Sequence, residues 1–484
     1  MGWFAFGLAT FSFFLLVLSR DPSLALQFSL GIAILTAICF RWWTNPVHPG
    51  ILGYISPHTV IMVSSFVYLG LGSMPMLASS YRVPYLNYNL GSEEFYLPML
   101  FVALAGLIAF DLVYRKLSQM AALNESYDLC LRRFYSPEIQ RFLPVSAVFW
   151  YSVCMAIFLY MTRTYLMRTY WFVGVESEMD NIFLQGGDSL LGTVWILMSL
   201  YLFRPGKKSV KILNLLLLTT LIPIVFGYQN RRIIVYSLLM TIVSYFIFKQ
   251  KFVRLKVIVW SVILVLGAFI IMSSVKYASI TDASLKRYIQ EDRNIFSRAV
   301  KTVQSPEFLN FNILGRMLME SFSNRLNGLD WAASMMGAHV KSGIPFMMGE
   351  HNLLCASRII PRAFWANKPT TPIETTVVQH FELAYFDNLG SMLGSAYADG
   401  GIAGVILGFG FLGFFFPLAL KLIFMRRDGI IIYMGAMVPL LSFENYLFRY
   451  PCYWLRWVLV LMVVNSVILF LYTHTRDRGR TVDI

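Results

Sequence analysis

Residues 396–420 read AYADGGIAGVILGFGFLGFFFPLAL, a stretch in which Asp399 is the only charge. A run of that length and apolarity is what a helix needs to cross the roughly 30 Å hydrocarbon core of a bilayer. Eleven further segments read the same way, at about 2–19, 24–40, 55–77, 96–114, 143–162, 188–203, 210–227, 233–248, 257–275, 428–447 and 453–473. Of 484 residues, 57% are hydrophobic and 14% charged, and the mean hydropathy is +0.62. A soluble domain carries about a quarter charged residues. The composition therefore predicts an all-α polytopic integral membrane protein with about 12 transmembrane helices. The first apolar run, Gly2 to Ser19, lacks a basic leader and a small-residue cleavage site, so it reads as a span rather than a signal peptide.

Positive charge orients these spans. With the N-terminus in the cytoplasm, 20 of the 40 Lys and Arg fall in cytoplasmic loops and the tail, and 8 in short outer loops. The remaining 12 lie in one long loop, where the bias rule does not apply because long loops cross regardless of charge. Both termini are then cytoplasmic and the long loop is periplasmic. The organisation reads as spans 1–9 over residues 1–275, a large periplasmic loop between spans 9 and 10 over 276–395, and spans 10–12 with a cytoplasmic tail over 396–484. Within the loop, apolar residues recur every three or four positions over 284–303 and 313–336, which suits amphipathic helices on the membrane or packed in a small outer subdomain. The net charge of +14 fits loop bias and anionic membrane lipids, and nucleic acid is not expected as a partner.

Five cysteines, Cys39, Cys130, Cys154, Cys355 and Cys452, are scattered with no CxxC pair, so no disulfide or metal framework is expected. No HExxH, paired-Asp or Cys/His cluster has ligand spacing, and neither a P-loop nor GxGxxG occurs. No metal and no cofactor is predicted.

Two cation clusters fall on the outer side. In FGYQNRRIIVYS, Phe226 to Ser237, Gly227 permits a tight outer turn, and Arg231 and Arg232 open the next helix. In RIIPRAFWANKPTTP, Arg358 to Pro372, Arg358, Arg362 and Lys368 stand among prolines and aromatics with no acid before Glu374. Guanidinium forks match phosphate oxygens in pairs. The competing reading is that all five snorkel to lipid headgroups. Two outer clusters on one side fit a multiply charged ligand at the membrane surface, and a lipid pyrophosphate has that charge and position. Among nearby acids and bases, His351, Glu374 and His380 are the candidates for proton transfer, against the plainer reading of hydrogen-bonded structural residues.

This layout resembles Wzy-type oligosaccharide repeat-unit polymerases, which belong with lipid-linked O-antigen ligases to the glycosyltransferase C superfamily. The resemblance rests on the short Gly-x-x-x-Arg turn, the late outer loop with PRAFWANKP, and the Gly-rich run GSAYADGGIAGVILGFGFLG from Gly394 to Gly413. It implies a metal-independent transfer of an undecaprenyl-pyrophosphate-linked glycan onto another lipid-linked repeat unit, making O-antigen or exopolysaccharide at the inner membrane. Arg231, Arg232, Arg358, Arg362 and Lys368 would then hold the pyrophosphate. A chain-length regulator and a repeat-unit flippase would be partners. The ligases tend to carry His-Asn just before the Gly-rich run; here His351-Asn352 comes more than forty residues early, which favours polymerase. A flippase or transporter of the same lipid would be expected to show inverted repeats and matching Gly/Pro-broken spans, none of which is visible in the sequence.

Overall fold

The computed structural model describes residues 47–48, 56–65, 69, 92–165, 178–227, 231–249, 328–350, 353, 357, 373–383, 392–441 and 451–481. Among them 89% of the structure is helical and no strand occurs. In chain order the helices are α1 (Pro57–Ser65), α2 (Tyr96–Met120), α3 (Leu123–Phe134), α4 (Pro137–Tyr165), α5 (Glu178–Phe203), α6 (Lys208–Gly227), α7 (Arg231–Lys249), α8 (Gly328–Ser342), α9 (Ile373–His380), α10 (Met392–Met425), α11 (Gly429–Leu441) and α12 (Pro451–Thr481), with a 3₁₀ turn at Ser92–Phe95 leading into α2. By length and composition, α2, α10 and Trp454–Thr475 of α12 are able to cross a membrane, and Ser189–Phe203 and Gly429–Leu440 are shorter apolar helices. These five coincide with predicted spans. The spans at 2–19, 24–40 and 257–275 and the loop helix over 284–303 lie outside the described residues.

Local sequence explains several boundaries. Ser136 and Pro137 start α4: the Ile139 N–H donates to Ser136 Oγ at 3.5 Å, and proline suits a first helical position that needs no N–H. Only residues 228–230 separate α6 from α7, and Arg231 opens α7 as the sequence predicts. The short α3 buries Leu123, Tyr127, Cys130 and Phe134, one stripe of a 3.6-residue period. Burial pushes the Cys130 thiol up to about 12, which keeps it protonated and unreactive.

The chain divides into two compact units. The first comprises Met1–Tyr127, Met319–Leu422 and Phe443–Arg456. In it, α1, α8 and the 3₁₀ turn pack on α2, and α10 approaches α2 so closely that a Cβ on Gly413 would lie 2.7 Å from the Phe110 carbonyl. Small residues at such contacts are how apolar helices associate in lipid. The predicted amphipathic helix over 313–336 is described from Gly328 onward, and there it packs inside the unit: Leu329, Trp331, Ala332, Ala333, Met335 and Met336 are all buried.

The second unit comprises Asp128–Leu318, Ile423–Ser442 and Trp457–Ile484. Helix α5 is its centre, with α4, α6, α7 and α11 packed around it. Trp195 Nε1 donates to Thr241 Oγ1 of α7 (3.0 Å), Asn214 Nδ2 of α6 to the Met198 carbonyl (2.8 Å), and Trp457 Nε1 of α12 to Thr193 Oγ1 (3.1 Å). A helix apolar on all sides belongs in such a centre.

One predicted span differs in shape. Inside α10 the backbone breaks at Gly400 (φ −162°, ψ 26°) and Gly401 (φ 59°, ψ −141°). A Cβ on Gly404 would sit 2.2 Å from the Ala396 carbonyl oxygen, and one on Gly408 would sit 3.3 Å from Ala396 Cβ and 3.7 Å from Met392 Cε. In a straight helix eight residues span about 12 Å. Residues 392–399 therefore fold back along the following helix as a tight hairpin, and the continuous apolar rod starts after Gly401. The predicted span at 396–420 thus contains a turn. Gly401 supplies a positive φ that an L side chain rarely adopts, and Gly404 removes the side chain that would hold the two limbs apart.

Candidate functional site

The hairpin anchors the segment that follows α8. The first limb ends with buried Ala398 and Asp399, and the Ala398 carbonyl accepts the Met347 N–H at 2.8 Å. That bond satisfies a carbonyl left over at a helix end. It also ties the segment 343–347, which follows α8, to the hairpin tip. Phe346 fills the space above Gly401, where a Cβ would lie 2.7 Å from its Cζ. The Phe346 ring stacks on His339 with centroids 4.0 Å apart and meets Tyr397 edge-on at 5.7 Å.

Two imidazoles lean on consecutive carbonyls of this segment. His339 Nδ1–H donates to the Ile344 carbonyl and His380 Nε2–H to the Pro345 carbonyl, each at 2.7 Å. Because a carbonyl only accepts, each bond sets the neutral tautomer: His339 keeps its lone pair on Nε2 and His380 on Nδ1. An imidazole so fixed can take a proton in a defined direction. The His380 bond also closes the base of a long loop. The stretch of sequence between Pro345 and His380 includes the predicted cations Arg358, Arg362 and Lys368 and the predicted His351.

Of the residues singled out from sequence, His380 is half-buried at the C-terminal end of α9. Glu374 is the second residue of that helix. Arg231 and Arg232 open α7 in the second unit. His351, Arg358, Arg362 and Lys368 lie outside the described residues. His339, in the same long loop, is missed by the sequence reading. Its only signal is a histidine at the end of an apolar helix, four residues before the Gly343 turn.

A second buried polar cluster in the first unit also escapes the sequence reading. His58 Nε2 lies 2.6 Å from Asp111 Oδ1, and Arg115 Nε donates to both Asp111 oxygens at 2.8 and 3.0 Å. His48 Nδ1–H donates to Asn124 Oδ1 at 2.6 Å, so its Nε2 accepts from the Tyr114 hydroxyl at 3.1 Å. Burial lowers the His48 imidazole to about 4, keeping it neutral. The detectable signal was Asp111 inside a predicted span, with Arg115 one helical turn on. Among the described residues no three His, Cys, Asp or Glu are grouped as a metal site.

No protein-family model, curated protein or solved structure matches this chain.

Proposed function

We propose that the chain is a repeat-unit polymerase of the inner membrane: it transfers a glycan from undecaprenyl pyrophosphate to a hydroxyl of a second lipid-linked oligosaccharide at the periplasmic face. The bond from the sugar's anomeric carbon to the pyrophosphate oxygen breaks, and a glycosidic bond forms. His380, through Nδ1, takes the hydroxyl proton. Arg358, Arg362 and Lys368 receive the charge that develops on the departing pyrophosphate. Fixed cations favour that transition state over the ground state, and no metal is needed for it. The observation that supports this reading is the His380–Pro345 bond, which orients the imidazole beside the hairpin at the end of the stretch of sequence that carries Arg358, Arg362 and Lys368.

The break at Gly400 and Gly401 gives the transporter reading one of the features it needs, a discontinuous apolar helix. A matching break in a second helix does not occur among the described spans. The purified chain, supplied with lipid-linked repeat units alone, separates the readings. A polymerase yields a ladder of longer lipid-linked glycans, a ligase requires a distinct acceptor, and a flippase moves the lipid across vesicles without new glycosidic bonds. Absence of any ladder from active, folded protein overturns the proposal. Within the polymerase reading, Arg362→Ala should lose roughly 10²–10³-fold in rate. Lysine should restore only part, because it lacks the paired fork.

A further inference from the structure

We propose that the α5–α6 turn and the outward face of α6 form a binding site for an anionic phospholipid, with the headgroup phosphate on the turn and the acyl chains along the helix. The inference does not depend on the glycan-transfer reading.

Arg204, Lys207, Lys208 and Lys211 fall within eight positions at this turn. Lys207 and Lys208 are exposed, and Arg204 and Lys211 are half-buried. The sequence contains no Asp or Glu between Asp188 and Asp282, so no local acid compensates them. Among the described residues, the carboxylates that pair with arginine or lysine pair elsewhere: Asp428 with Arg426, Glu138 with Arg427, Asp111 with Arg115 and Glu94 with Lys341. Nor do the lysines serve the helix. Lys208 is the first residue of α6 and Lys211 the fourth, where positive charge opposes the helix dipole. Four cations close together in this position are stabilised by an external anion.

The helix that follows specifies which anion. Asn214, Leu218 and Leu221 form the buried stripe of α6, and Asn214 holds α5 through the Met198 carbonyl. Away from that stripe, Ile212, Leu213 and Leu216 are 60%, 59% and 57% exposed. The surface thus runs from cations directly onto exposed aliphatic side chains. A soluble phosphate uses only the first part of it. A phospholipid with a net negative headgroup uses both, where the span predicted from sequence over 210–227 begins.

The test uses the full chain in nanodiscs of phosphatidylcholine doped with phosphatidylglycerol, with retained lipid counted by native mass spectrometry after extraction. Wild type should retain phosphatidylglycerol over phosphatidylcholine. Each lysine neutralised in Lys207→Gln, Lys208→Gln and Lys211→Gln should lower that preference about fivefold, since a cation near the surface contributes about 1 kcal/mol. Charge removal beside a span also affects insertion, so wild type is titrated with salt as well, and the preference should fall as the Debye length shortens. Leu213→Ser with Leu216→Ser should weaken phosphatidylglycerol retention with the cations intact. The proposal is overturned if the triple variant keeps the wild-type preference, if salt leaves it unchanged, or if inorganic pyrophosphate displaces the lipid and the Leu213/Leu216 variant binds lipid as wild type does. That last pattern would mark the turn as a site for soluble phosphate.

Discussion

His48 and His58 are held by side chains deep in the first unit, whereas His339 and His380 each rest one nitrogen on a backbone carbonyl. The inner pair is sealed. His48 has both ring nitrogens bonded, and His58 shares Asp111 with Arg115, so moving a proton there breaks a buried network. The outer pair is oriented but not exhausted, because each ring keeps the nitrogen that its carbonyl bond leaves unprotonated. The same side chain is therefore locked into a network in one place and left with a nitrogen able to accept a proton in the other. What separates the two pairs is burial and the kind of partner: His48 and His58 are buried against the side chains of Asn124, Tyr114 and Asp111, whereas His339 and His380 are half-buried against backbone carbonyls.

That contrast is testable from both sides. The largest effect is expected at His380. Replacing it by alanine should lower polymer formation roughly 10²–10⁴-fold, the usual worth of a general base, while thermal stability changes little. A lost fold with unchanged specific activity in the folded fraction would make His380 a locked residue too, and the contrast would fail. Asp111→Ala should do the reverse. Removing one partner of a buried ionic cluster costs about 3–5 kcal/mol, so unfolding in detergent should shift strongly while the folded fraction keeps its rate.

Acid sharpens the comparison. The folded state holds His48 near 4, below its ordinary 6.5, so the unfolded chain takes the proton first as pH falls. Stability from this residue is complete above about pH 6.5 and is lost progressively down to about pH 4, by roughly 3 kcal/mol in total. His48→Gln should flatten the pH dependence of unfolding across that window. An unchanged slope would remove His48 from the sealed cluster. The smallest effect is expected at the hairpin. Gly404→Ala brings a Cβ against the Ala396 carbonyl, which is backbone and has no rotamer to yield, at a cost of about 1–3 kcal/mol. Gly410→Ala, in the same helix with nothing within 4 Å, should be neutral or slightly stabilising, and equal costs at both positions would argue against the fold-back.

Much of the architecture was legible because lipid imposes a simple rule. A backbone without water must satisfy its own hydrogen bonds, so long apolar runs become helices whatever surrounds them. The runs at 96–114, 396–420 and 453–473 could be located for that reason, and the start of α7 at Arg231 followed from the glycine and polar residues before it. The site was less legible. His380 could be named as a candidate from its acidic and cationic neighbourhood, but nothing in residues 373–383 announces that its ring meets Pro345, 35 positions earlier. His339 was overlooked because a lone histidine ending an apolar helix carries no local signature.

The sequence by itself determined the helical, membrane-associated class and the approximate limits of the described apolar helices, because hydropathy and helix punctuation act over a few neighbouring residues. Only the tertiary structure decided that residues 392–399 turn back at Gly400 and Gly401, that Asp111 gathers His58 and Arg115, and that two imidazoles share consecutive carbonyls. Each of these depends on which atom comes within 3 Å of which. That distance is set by packing between segments far apart in the chain, where local preference has no reach.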